Sequence, residues 1–176
     1  MKKIIAVVLL LSAGWLKLHA QQSDVATQLI KVHLEPTIQI SSMNGSDVNI
    51  GFSSINSYMN GVESGKQDFT VHSNRDFVVN VRANSPVFSY SGNSYPAPEM
   101  PVDNTLFLTV SENNTGGSVA NSFNSFAPLS ASPRDLLLNC KNGGNKTFSV
   151  NYRANPGALF PAGDYTVGVI YTATQP

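Results

Sequence analysis

The chain lacks a second cysteine. Cys140 is the only one, so no internal disulfide can form and the fold must stand on its packed core. Cys140 follows Leu136-Leu137-Leu138 and reads as a small buried apolar residue. Charge is scarce as well: charged residues make up 12% of the sequence. No basic cluster offers a footprint for nucleic acid or for anionic lipid. Histidine is sparse beyond residue 20, where only His33 and His72 stand. Both sit within strand-like alternation on the polar parity. No Ser-His-acid grouping, nucleophile elbow or phosphate loop is spelled out. Gly116-Gly117 and Gly143-Gly144 lack the Lys-Ser/Thr and helix that a phosphate loop needs. No His, Cys or carboxylate cluster has metal-ligand spacing. A non-enzymatic protein is therefore expected, without metal or cofactor.

The one long apolar run lies at the front. Lys2 and Lys3 precede an apolar stretch from Ile4 to Leu16, and Ala20 supplies a small residue. Residues 1–20 read as a secretory signal peptide. The stretch is shorter than the ~20 residues that span a bilayer, and no later run is longer. Removing Lys2, Lys3 and Lys17 would leave 8 basic against 11 acidic residues, a net charge near −3. The remaining ~156 residues suit one domain with a real core. An exported location is expected: periplasm, cell surface or extracellular space.

Alternation with a period of two dominates the rest of the chain. Residues 21–29 are polar and read as a flexible leader. From residue 30 the pattern sharpens through Ile30, Val32, Leu34, Ile38 and Ile40, with Pro36 in the middle. Proline cannot donate to a ladder, so this predicts an edge strand or one that changes partner. Val48, Ile50 and Phe52 predict a short strand. Phe69 to Ala83 predicts a hairpin turning at Ser73-Asn74-Arg75-Asp76. Leu106, Leu108 and Val110 mark another strand, and Leu136–Leu138 a strand or a helical turn. The clearest stretch runs from Lys146 to Gln175. It holds two alternating runs, Phe148–Ala154 and Tyr165–Ala173, separated by Asn155-Pro156-Gly157 and Pro161-Ala162-Gly163. No helix is predicted after the signal peptide. Many short strands between turn signals predict an all-β fold: a single antiparallel, Greek-key β-sandwich over residues 30–176.

Two stretches carry a resemblance. F-T-V-H-S-N-R-D-F-V-V-N-V-R-A (69–83) and P-A-G-D-Y-T-V-G-V-I-Y-T-A-T (161–174) resemble immunoglobulin-like β-sandwich subunits of bacterial surface structures. These include archaic chaperone–usher pilins of the spore coat protein U-like group, and WxL-type surface domains. The resemblance implies a structural or adhesive subunit. It also implies assembly by strand addition, in which a neighbour's N-terminal extension supplies a missing strand. Gln21–Ile30 alternates weakly and the last strand reads as complete, so this domain is expected to close with its own last strand. The expected partners are further copies or surface-assembly proteins met through an edge strand.

The alternative is a glycan-binding module. Sugar sites on such folds use aromatic platforms flanked by amides. Tyr90 and Tyr95, near Asn93 and Ser94, are the candidates, with Tyr58 a third. Phe123 and Phe126 lie in the long 111–134 stretch, whose alternation is weak. They must either fold onto the core or mark a contact surface.

Overall fold

The computed structural model describes residues 23–176. The signal peptide expected at 1–20 lies outside the described residues, as do the first two residues of the leader. Two units are distinguished, one up to Leu34 and one from Glu35 to Pro176. In the first, residues 23–34 form no helix or strand.

The second unit is all-β with antiparallel sheets. Its strands are β1 (Ile38–Ser42), β2 (Val62–Glu63), β3 (Gln67–Ser73), β4 (Phe77–Ala83), β5 (Ser89–Ser91), β6 (Leu106–Asn113) and β7 (Ser118–Val119). They continue with β8 (Ala127–Pro128), β9 (Arg134–Cys140), β10 (Gly143–Ala154), β11 (Asp164–Thr166) and β12 (Val169–Thr174). One sheet runs β1-β3-β10-β6-β8, with β2 also on β10. The other runs β12-β4-β9-β7, and β5 pairs with β11 alone.

Alternation is read directly into burial. In β4, Phe77, Val79, Val81 and Ala83 are buried while Val78, Asn80 and Arg82 are not. A β-strand points successive side chains to opposite faces, so this parity can serve only one core. That core joins Val71 of β3, Leu108 of β6 and Val150 of β10 to Val79, Val81 and Leu137 of the other sheet. Phe123, from a single 3-10 turn at Asn121–Asn124, also lies in it. Cys140 ends β9 fully buried, opposite Phe77. Burial pushes its thiol pKa up, away from the reactive thiolate.

Several expectations are corrected. Phe69–Ala83 is not a hairpin: β3 and β4 belong to different sheets, and residues 74–76 form the corner between them. The Asp76 carboxylate holds that corner. It accepts from the Asn142 amide at 3.0 Å and from Lys141 at 2.8 Å. The two runs of the C-terminal stretch likewise part, β10 to one sheet and β12 to the other, while Tyr165 lies in β11. Parity specifies the buried face, not the neighbour. The first strand begins at Ile38, after Pro36 rather than at Ile30. Val48–Phe52 forms no strand.

A short helix, α1 (Ile55–Asn60), forms where no helix is predicted. Ser54 and Ser57 cap it reciprocally: each backbone N–H donates to the other's hydroxyl at 3.2 Å. Gly61 ends it at φ +72°, and a Cβ there would collide with the Ala154 carbonyl.

Side chains bridge the two sheets. Phe69 and Phe148 stack across β3 and β10 with centroids 5.0 Å apart. Tyr171 of β12 lies 4.4 Å from the Phe69 ring, and its hydroxyl is 2.7 Å from that of Tyr152 on β10. Replacing Phe148 by Ala is expected to cost about 3–5 kcal/mol, the range for a fully buried Phe, in urea unfolding. A loss under 1 kcal/mol would show that this cluster does not hold the core.

Burial raises both tyrosine pKa values, that of Tyr152 to about 12 and that of Tyr171 well above 10. The folded state therefore keeps both neutral where the unfolded chain ionises near 10. Their contribution is complete below pH 10 and is lost as pH rises toward 12. Tyr171→Phe should flatten the alkaline fall of the urea midpoint; an unchanged slope would rule the pair out as its cause.

Candidate functional site

The aromatic candidates separate into packed and exposed residues. Tyr90 sits in β5 opposite Tyr165, with ring centroids 5.0 Å apart. Its hydroxyl donates to the Ala162 carbonyl at 3.0 Å and accepts from the Ser94 amide at 3.2 Å. A Cβ on Gly92 or on Gly163 would overlap the Tyr90 side chain, so two glycines leave the room it occupies. Tyr90 thus ties the loop after β5 to the loop before β11. Tyr95, in the first of those loops, is 98% exposed. Phe123 is fully buried, with the Arg134 guanidinium 4.8 Å from its ring centroid. Phe126 is partly buried near Arg153. The four do not converge on one surface: Tyr90 and Phe123 serve packing, and Tyr95 reaches outward. Tyr58 packs on Phe52 at 5.3 Å.

His72 lies on the outer face, its Nδ1 accepting from the Asn145 amide at 3.3 Å. It lines an open cleft of about 530 Å³ with Thr37, Gln39, Asn74, Asn142 and Gly143. Among the described residues, no three His, Cys, Asp or Glu side chains are grouped to hold a metal ion.

The edges of the two sheets differ. β7 and β8 are two residues long, and β8 contains Pro128, which has no N–H to offer. Such edges are poor templates for a further strand. β1 and β12 close the opposite ends of the sheet orders; each pairs on one side only, with β3 and with β4. Their inward apolar residues are Ile38 and Ile40 on β1, and Val169, Tyr171 and Ala173 on β12. All are only partly buried against the core.

A polar knot joins these two edges at one end. Thr37 precedes β1 and Gln175 follows β12. Gln175 Nε2 donates to the Thr37 carbonyl at 2.8 Å and to Ser73 Oγ at 2.9 Å. Asn74, at the β3–β4 corner, accepts from the Thr37 amide at 2.9 Å and donates its own amide back to the Thr37 carbonyl at 3.2 Å. Its side chain also donates to the Glu35 carbonyl at 2.7 Å. The sequence marks Asn74 as a turn residue, but nothing in it pairs Asn74 with Gln175, 101 positions away.

In the N-terminal unit, Leu29, Ile30, Val32 and Leu34 are 93%, 77%, 75% and 78% exposed. Ile30, Val32 and Leu34 share one parity, so in an extended backbone all three would project from a single face.

No family model matches the chain, and no curated protein matches it.

Tyr95→Ala should leave stability within about 0.5 kcal/mol, while Tyr90→Ala should cost about 2 kcal/mol, read as thermal midpoints side by side. Equal losses would show that Tyr95 is a packing residue after all.

Proposed function

We propose that this chain is an exported, non-enzymatic protein with an immunoglobulin-like β-sandwich, serving as a cell-surface or fimbria-like structural subunit. It would associate through strand addition at an open edge. One observation carries this reading. Three alternating apolar side chains, Ile30, Val32 and Leu34, stand exposed in a chain whose two sheets each end in a long edge strand with a single partner.

The sheet order supports the sandwich. β3 neighbours β10 and β12 neighbours β4, so strands distant in sequence pair side by side. From β3 onward the long strands β3, β4, β6, β9, β10 and β12 alternate between the two sheets, as strands of a sandwich do. The N-terminal signal pattern supports export.

Magnitudes favour a reversible association. Burying three such side chains contributes about 5–9 kcal/mol. Fixing six residues of backbone costs about 6–12 kcal/mol. The two nearly cancel, so the backbone ladder formed at the edge decides the outcome. The glycan-binding alternative has Tyr95 to offer, since Tyr90 is engaged in packing.

Sedimentation of the full chain should show mass rising with concentration, and the Ile30→Asp, Val32→Asp double variant should stay monomeric while folding normally. A wild-type chain that remains monomeric at every concentration would sink the assembly reading.

A further inference from the structure

The ribbon of β5 and β11 stands apart from the two sheets: its strands pair only with each other. Its aromatic residues form a cluster of their own. Tyr90 and Tyr165 face each other across the ribbon at 5.0 Å, and Phe160 meets Tyr165 edge-on at 6.3 Å. None of the three belongs to the core that joins the sheets. What the cluster does hold is a pair of loops. The Tyr90 hydroxyl bridges them through the Ser94 amide and the Ala162 carbonyl, and the Tyr165 hydroxyl donates to the Pro161 carbonyl at 2.8 Å. Pro96, Pro98, Pro156 and Pro161 fix φ at further points of the same loops.

Each tied loop presents a large apolar side chain to water. Tyr95 directly follows the bridged Ser94 and is 98% exposed, and Leu159, shortly before the bridged Ala162, is 93% exposed. A lone exposed apolar residue calls for no explanation, but these two stand beside one hydrogen-bonded bridge that gives them a fixed frame. The polar face of the ribbon adds Asp164 and Ser91, exposed and directly in register. Charge narrows the partner. No Lys or Arg stands between Arg82 and Arg134 or after Arg153. Neither loop therefore carries a cation, while Glu99 and Asp164 are exposed. An anionic lipid, a nucleic acid or an acidic polysaccharide finds no counter-charge on these loops.

We infer that the two loops joined by Tyr90 form a binding site for a neutral oligosaccharide. The Tyr95 ring offers a flat apolar face to the C–H side of a pyranose, and Leu159 extends that face. The Asp164 carboxylate and the Ser91 hydroxyl accept from sugar hydroxyls. Few groups make the contact, so little free energy is available to order a loop on binding, and a platform fixed in advance is what such a site needs. Tyr90 is a positioning residue: it holds the frame and leaves the stacking to Tyr95. This goes beyond the assembly reading above and does not rest on it.

The test titrates the full chain by isothermal calorimetry with maltohexaose, cellohexaose, mannohexaose and N-acetylchitohexaose, and with hexagalacturonate as the acidic counterpart. At least one neutral sugar should bind, and the galacturonate should not. For the sugar that binds, Tyr95→Ala should weaken affinity about tenfold, the size of one aromatic contact. Tyr95→Phe keeps the ring and should stay within about twofold of wild type. Leu159→Ala, weakening binding about threefold, reads the same surface from the other loop and covers the case in which Tyr95→Ala folds poorly. The Ile30→Asp, Val32→Asp variant should bind sugar as wild type does, which separates this site from assembly. No heat from any neutral sugar at about 5 mM, affinity unmoved by both alanine substitutions, or tighter binding of the galacturonate would each overturn the site.

Discussion

The aromatic contact of Phe69 and Phe148 with Tyr171 is the constraint on which the rest depends. Backbone ladders hold each sheet, but no ladder joins β12 to β1, β3 or β10. The sheets are therefore held to one another by side chains. Phe69 and Phe148 lie flat against each other, planes 9° apart. Tyr171 is tilted onto them from the second sheet and ends in the hydroxyl pair with Tyr152. A chain with no disulfide has no covalent substitute for this contact. Side chains alone close that side of the core, and β1 and β12 each have one ladder partner.

Legibility follows the physics of each signal. The buried faces of β4 and β10 are readable because a half-buried strand must alternate. The pairing of those strands is not, since Phe77–Ala83 would show the same parity in a hairpin or after a sheet-crossing corner. What distinguishes the two is the contact of Asp76 with Lys141 and Asn142, some 65 residues away, and no local pattern announces it. The helix at Ile55–Asn60 is silent in the sequence because its cap uses Ser at both positions instead of Ser followed by Glu or Gln, and because its apolar residues Ile55 and Met59 are exposed. Phe123 is legible as a choice between core and surface; only the packing decides it. Of the candidate site, the apolar segment before Pro36 is visible in the sequence, but the Gln175–Thr37–Asn74 knot is not. Single hydrogen bonds across the length of a chain leave no periodicity.

The edges are treated unequally, and that inequality is informative. β7 and β8 are cut to two residues, with Pro128 at one of them. These are devices that discourage pairing. Neither device is applied along β1 or β12. Their edge is restrained by polar side chains at one end, which is a reversible restraint where proline is a permanent one. No charged residue stands in β1 or β12 themselves, and the ion pairs Lys66–Glu112 and Lys141–Asp76 are exposed.

Cys140 gives the molecule a built-in clock. Its sulfur is fully enclosed beside Phe77, and burial keeps it protonated. A thiol reagent can reach it only after the structure around the end of β9 opens, which includes β4 and the 115–117 segment. As the lone cysteine it reports that one event without interference. The rate at which folded protein becomes labelled is then the rate at which this part of the core opens. Separation of the outer β12 edge alone would leave Cys140 covered, so edge release and core opening can be timed apart in the same chain.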